Sequence, residues 1–492
     1  MRPLAVLLSL VLSLPVCAQA LDTRAAERAV NATLKAWQLP GLAVAIVQND
    51  RVVFLSGYGV KDLSTGERVT PDTLFQIAST SKAFTTTALA MLVDEKKLQW
   101  DDRVRDHLEY FRLADACADA NVTIRDIVSH RTGVAEHDEL WDNSPWSREE
   151  VVRKIGKVEL SQPFRSGYHY NNIMFIAAGE VIARAAGMPW DEFVHARLFA
   201  PLQMTHTVTT DAQWNASDHA TGYRYDAAKD RITPQPPIDT TTIGSGGAIK
   251  SSARDLANWL RFQLGQGEFN GQRLVSAEAL AETKMPQTVI RLEGATRDAH
   301  PESNLYAYAM GWYVQDYRGE LLVSHTGSLN GFRTNTNLLP RRNSGFVLLT
   351  NAGRSRALLA LRNTLADLLS GKPGRDWNAY YLMLDRKAAD QANKARDERA
   401  ARRVPNTNPS HPLEAYTGTY RNEAYGSATV KLVNGALVVQ WSRMTLPLTH
   451  FHYDTFTAYS EADDVDEEVT FGIGERGEVK TLTIFGERFV KE

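Results

Sequence analysis

The chain has 492 residues, 43% hydrophobic and 23% charged, with 55 Lys and Arg against 58 Asp and Glu for a formal net charge of −3. This composition is that of a globular protein with more than one core, and it excludes extended disorder. No basic excess is available to neutralise phosphates, which argues against nucleic acid as a partner.

The opening MRPLAVLLSLVLSLPVCAQA has Arg2, an apolar run and the small-residue site Ala18-Gln19-Ala20. It reads as a signal peptide over residues 1–20, cleaved after Ala20, and the run is too short to span a membrane. Lipid attachment at Cys17 is the weaker reading, because the bulky Val16 precedes it. The expected product is secreted or periplasmic, without stable membrane insertion. Its single remaining cysteine, Cys117, forms no internal disulfide. The small, acidic neighbours of Cys117 raise a thiol pKa and favour a structural role over a nucleophilic one.

Next comes a helix at TRAAERAVNATLKAW, then two strands, LAVAIV and RVVFLSGYG, around the turn QND. Helical stretches follow to about residue 265. Strands return at YAMGWYVQDYRG, ELLVSHTGS, FRTNTNLLP and GFVLLTNAG, before a helix at RALLALRNTLADLL. Strands at both ends with helices between them predict an α+β fold: one antiparallel sheet flanked by helices, plus a largely helical subdomain. The polar, helix-prone residues 385–403 read as a solvated connector, ended by VPNTNPSHP. From residue 411 short strands and turns predict a small all-β domain, with Asn434-Gly435 as a hairpin turn. The acidic EADDVDEE lacks the spacing of an EF-hand and reads as a solvated loop.

Three stretches could carry chemistry. In STSKAFTTTALAML, Ser79 and Lys82 are three apart and share a helix face, although a cation is disfavoured in a first helical turn. A partly buried lysine can lose its proton near neutral pH and serve as a base. S-x-x-K alone is expected by chance in a chain of this length. In SGYHYNNIMF, Tyr170 could act as an acid or base if a cation lowers its pKa, and the Asn172 amide can meet a carbonyl and a lysine. The bland alternative has Tyr168 and Tyr170 packing and Asn171 or Asn172 capping the helix. In LLVSHTGSLNG, an apolar strand ends in His325, Thr326, Gly327 and Ser328. Gly327 permits close approach, and the Ser328 N–H could pair with that of Ser79 as oxyanion donors.

The order Ser-x-x-Lys, Tyr-x-Asn, basic residue-Thr-Gly resembles the serine β-lactamase and penicillin-binding-protein superfamily, in its class C and esterase-like branch. TIRDIVSHRTGV, HDELW and GSGGAIKSSARDLANWL belong to the same resemblance, which spans about residues 25–370. It implies an acyl-enzyme hydrolase with Ser79 as nucleophile, Lys82 and Tyr170 as the proton-transfer pair, and Asn172, His325, Thr326, Gly327 and Ser328 against substrate. It implies no cofactor and no metal. The appended β domain resembles that of peptidases of this family, so amide or peptide hydrolysis ranks first and short-chain esters second; β-lactams rank third, because His325, mostly neutral at pH 7, stands where β-lactam-binding members usually have lysine. A cationic His325 would favour anionic substrates below its pKa of about 6.5. The implied organisation is a hydrolase domain over 21–375, a helical connector over 376–410 and a lipocalin-like β domain over 411–492, for substrate gating or homo-oligomer contact. No G-x-S-x-G elbow or H-E-x-x-H zinc motif occurs. His450 and His452 are a weak pair. A non-catalytic peptide-binding sensor or scaffold is the rival of another class.

Overall fold

The structure is a computed structural model that describes residues 20–142, 144–226, 231–460 and 465–492. The signal-peptide reading falls on residues 1–20, of which all but Ala20 lie outside the described residues.

An eight-stranded antiparallel sheet organises the first 370 residues. Its strand order is Arg51–Gly59, Gly41–Gln48, Ser344–Thr350, Phe332–Leu339, Glu320–Leu329, Tyr313–Tyr317, Tyr306–Tyr308 and Thr288–Val289. The N-terminal hairpin therefore pairs with a strand three hundred residues later, in the register Val44↔Leu348. Gly41–Gln48 is buried throughout because both faces are covered. Leu42, Val44 and Ile46 pack on the helices Thr23–Trp37 and Ser355–Ser370, while Ala43, Ala45 and Val47 face the helices on the other side. This explains an apolar run without alternation.

The segment YAMGWYV, expected as one strand, is a hairpin. Ala309 donates its N–H to the Trp312 carbonyl, and Gly311 turns the chain at φ 75°, where the left-handed region favours glycine. A Cβ on Gly311 would also press on the Lys82 carbonyl, so this turn packs directly on the helix that carries Lys82. Among the described residues no single helix is long and apolar enough to cross a membrane. Cys117 is exposed on the short helix Ala116–Asn121, so it fills no core position.

The helix Trp377–Ala401 joins the two halves of the molecule. Its first turns are not solvated: Trp377, Tyr381 and Leu384 are buried against the Ser355–Ser370 helix. Beyond them it runs exposed, and Arg399 and Arg402 pair with Asp466 and Glu468 of the C-terminal domain. That domain is a closed barrel of eight strands between Gly418 and Lys491, each paired with its sequence neighbour. The predicted turn is present, with Asn434 and Gly435 both at positive φ between Val433 and Ala436. Val465–Glu468 open a barrel strand instead of a loop, and residues 461–464 lie outside the described residues. His450 and His452 are separated by a register shift and bond to different backbone groups. Among the described residues no group of three or more His, Cys, Asp or Glu could hold a metal.

Asp367 knots the sheet, the Ser355–Ser370 helix and the connector together. Nearly buried, it accepts from Tyr317 Oη at 3.0 Å and Trp377 Nε1 at 2.9 Å and pairs with Arg318 at 2.8 Å. Asp367→Ala strands those donors and should cost about 3 kcal/mol of unfolding free energy, read as a lower urea midpoint with an unchanged slope. A midpoint equal to wild type would show that the knot carries no stability.

Candidate active site

Ser79 lies in a single 3-10 turn, Ala78–Thr80, directly ahead of the helix Ser81–Asp94. Ala78 is held at φ 49°, a left-handed conformation that L side chains adopt at a cost of about 1–3 kcal/mol. The surroundings over-determine it. The Ile77 carbonyl accepts from Thr80 Oγ1 at 2.7 Å and from Thr334 Oγ1 of the sheet at 2.9 Å. Gly327 of the neighbouring strand lies against the same carbonyl, which a Cβ would strike. The serine turn is thus clamped to the sheet at the point where the strand Glu320–Leu329 leaves its partner. Tyr313–Tyr317 pairs with that strand only as far as Ser324, so its edge at His325–Leu329 faces the pocket.

Lys82 is wholly buried in the first turn of its helix. Its ammonium reaches Ser79 Oγ at 3.2 Å, Asn172 Oδ1 at 2.6 Å and the Gly246 carbonyl at 2.8 Å. Burial brings its pKa down from 10.5 to about 7, against the opposing field of Asp138 and Glu136. Asn171, not Asn172, caps the following helix through Met174 N at 3.0 Å, which frees the Asn172 amide for the site. Asn172 Nδ2 donates to both oxygens of Asp138, at 3.0 and 3.1 Å.

Tyr170 stands beside this group, its ring centroid 4.8 Å from Lys82 Nζ and its hydroxyl hydrogen-bonded to Ser79. The expectation of a phenol made acidic by a neighbouring cation is overturned, because burial raises Tyr170 well above 10. The prospect of a partly cationic His325 is removed too, and the neutral state expected near pH 7 holds. His325 is buried, and desolvation followed by the field of Lys82 lowers its pKa to about 3. Its Nδ1 lies 2.7 Å from the Thr326 carbonyl and its Nε2 3.0 Å from Tyr308 Oη. These partners fix the neutral tautomer with Nδ1 as donor, so His325 is no cation for a substrate carboxylate.

The structure brings Ser79, Tyr170, Asn172, His325, Thr326 and Ser328 around one cavity of about 810 Å³, with Lys82 behind Ser79 and Gly327 behind the strand edge. Several of its residues escape the sequence reading. Tyr168 and Tyr313 bond hydroxyl to hydroxyl at 2.6 Å to form a wall, so Tyr168 does more than pack. His130 lies behind Tyr170 at 4.2 Å between ring centroids and accepts from Asn171 N at 3.1 Å. Glu136, exposed at the pocket wall, and Asp138, half-buried, add a carboxyl pair. Desolvation followed by the field of Asp138 raises Glu136 to about 7, and desolvation also raises Asp138, which is bonded to Glu136. Asp138 sits in HDELW and Gly246 in GSGGAIK, but no spacing rule marks either residue.

The model of the Beta-lactamase family matches residues 26–371. The chain belongs to the β-lactamase family. A second family model, a domain of unknown function (DUF3471), matches residues 402–491, the barrel. This β-lactamase-family chain is 32% identical over 420 residues to the unguisins hydrolase ungD' of Aspergillus campestris, covering 82% of this chain and 76% of the relative. It is 26% identical to protein flp of Staphylococcus aureus strain COL, over 65% of this chain and 61% of that one. Among solved structures it resembles the octameric penicillin-binding protein homologue from Pyrococcus abyssi, with a TM-score of 0.62 at 20% identity over 96% of this chain and 100% of that one. SurE follows with a TM-score of 0.57 at 20% identity, over 95% and 99% of the two chains. At such identity these two neighbours show the shared fold alone.

The Gly327 contact supplies a test of the geometry. Gly327→Ala forces the strand edge away from the serine turn. It should lower kcat/KM about 100-fold, the scale of a 1 Å misplacement, while the protein still folds cooperatively. Wild-type turnover in this variant would show that the close approach is dispensable.

Proposed function

We propose that the protein is an exported serine hydrolase that cleaves amide bonds of small peptides through an acyl-enzyme on Ser79. The observation that carries this is the pair itself: a serine hydroxyl 3.2 Å from a buried lysine whose pKa is brought to about 7. Neutral Lys82 takes the Ser79 proton as Oγ attacks the substrate carbonyl carbon. The resulting oxyanion faces the backbone N–H groups of Ser79 and Ser328. Collapse breaks the C–N bond. The proton held on Lys82 passes through the Tyr170 hydroxyl to the leaving nitrogen, a route that suits a phenol kept neutral by burial. Water then repeats the sequence on the acyl-enzyme, with the same two groups moving its proton.

Support for hydrolysis comes from the relative named an unguisins hydrolase, and β-lactams rank lower because the neutral His325 supplies no permanent charge for their carboxylate. Esters would use the same groups with an easier leaving group. Export rests on the N-terminal sequence.

A fluorophosphonate should add one adduct on the Ser79 peptide by intact-mass and peptide mapping, and none in Ser79→Ala. Lys82→Ala and Tyr170→Phe should each lower turnover roughly 100-fold, with losses that do not add. Because Lys82 must be unprotonated, kcat/KM should fall as pH drops below about 7, and the neutral His325 should add no second limb above pH 5. A panel of aminoacyl anilides, p-nitrophenyl acetate and a chromogenic cephalosporin ranks the substrates. Cephalosporin turnover above the anilides would overturn the ranking, and an adduct surviving Ser79→Ala would remove Ser79.

A further inference from the structure

The C-terminal barrel does not stand apart from the pocket. It rests on the segment Glu136–Trp146, which supplies the pocket's carboxyl pair. Tyr425 Oη lies 2.7 Å from His137 Nδ1, and Glu487 lies 3.8 Å from the same nitrogen. Trp441 packs edge-on against Trp146 with ring centroids 6.1 Å apart, and Lys154 donates to the Ala424 carbonyl at 3.0 Å. His137 itself is held at φ 47°, ψ 44°, a left-handed conformation unusual for a residue with a Cβ. With the chain turned there, His137 bonds to the barrel while the next residue, Asp138, bonds to Asn172.

An amide side chain can face either way. Here its direction matters, because Lys82 Nζ needs the oxygen end at 2.6 Å. A carboxylate can only accept. By taking the nitrogen end at 3.0 and 3.1 Å, Asp138 leaves Oδ1 as the atom that meets Lys82. Trp141 Nε1 donates to Asp138 Oδ1 at 2.5 Å and holds the carboxylate in turn.

We propose that Asp138 is the positioning residue of this site and that the barrel holds it in place. The chain Tyr425, His137, Asp138, Asn172, Lys82 would tie the appended domain to the base beside Ser79. This rests on the serine-hydrolase reading above. It gives the barrel a role in turnover that needs no ligand of its own.

Asp138 acts on Lys82 through its charge as well as through Asn172. The charged and titratable groups facing Lys82 are Asp138 and Glu136, which favour its cation, and Tyr170, His130 and His325, both histidines being neutral. Around Asp138 stand Glu136, Glu139, Tyr170, Tyr425 and Lys82. Removing the Asp138 charge leaves Lys82 easier to deprotonate. It also lets Glu136 ionise at lower pH, which returns part of the negative field to Lys82; because Asp138 acts on Lys82 more strongly than Glu136, the acid limb of kcat/KM still moves to lower pH.

The test uses the full chain and an anilide substrate. Asp138→Asn, whose carbonyl oxygen can still accept from Asn172, should keep most of kcat and shift the acid limb down. Asp138→Ala should lower kcat on the order of 10- to 100-fold with little change in KM. Tyr425→Phe should lower kcat several-fold in the wild-type background and much less in Asp138→Ala, because the two act along one path. Fluorophosphonate labelling of Ser79 in each variant keeps the readings distinguishable, since loss of labelling in wild type would sink the hydrolase reading itself. An acid limb unmoved in Asp138→Asn would overturn the role of Asp138. Additive losses for Tyr425→Phe and Asp138→Ala would overturn the link to the barrel.

Discussion

The burial of one amine sets the terms for the rest of the catalytic half. A lysine removed from water cannot keep its proton at no cost, and here it is surrounded by an amide oxygen, a backbone carbonyl and a serine hydroxyl, with no carboxylate among the described residues in direct contact. A contacting carboxylate would lock it as an ammonium and leave it useless as a base. Water reaching it would restore its ordinary basicity. The carboxylate is instead placed one residue away, behind Asn172, where it moderates the shift without cancelling it. Lys82 therefore has to be enclosed by elements far apart in the chain: its own helix, the Asn172–Ala186 helix and the turn Gly244–Gly246.

The sheet makes that enclosure rigid. Because Gly41–Gln48 is buried on both faces, its register with Ser344–Thr350 is fixed by apolar side chains above and below. From there the order carries across to Glu320–Leu329, whose glycine approaches the serine turn. Strain at Ala78 persists because Thr80, Thr334 and Gly327 all converge on the Ile77 carbonyl. A strained serine turn and a two-sided sheet are thus parts of one constraint.

How much of this was legible in the sequence follows from range. Local signals carried well. The first helix was read over TRAAERAVNATLKAW and is found at Thr23–Trp37, and Asn434-Gly435 gave its hairpin. The three motifs pointed to residues that meet in space because each is read from spacing within a few positions. What failed depends on burial. The hairpin at Gly311 looks like one strand until the chain packs on the Lys82 helix. How far Tyr170 and His325 sit from their ordinary pKa values is set first by burial, among rings such as Tyr308 and Tyr313 that no local pattern assigns. Asp138 was invisible as a functional residue because its partner, Asn172, lies 34 positions away.

The barrel shows the same limit at the level of a domain. Its strand pattern gave the architecture, and a lipocalin-like module suggests a cup for a ligand. Eight strands, however, leave an interior just wide enough for side chains. Here Tyr416, Tyr420, Phe456 and Phe471 pack edge-on to one another in the core with ring centroids 4.9 to 5.9 Å apart. A filled interior leaves the rim as the place where the domain can act. There Tyr425, in the turn between the first two strands, and the buried Trp441 meet His137 and Trp146 of the hydrolase half, and His137 precedes the Asp138 that bonds to Asn172. A domain with a filled core and a specific polar contact beside the site is suited to hold a neighbour still, and on the proposal above the neighbour it holds carries the carboxylate that turns Asn172 toward Lys82.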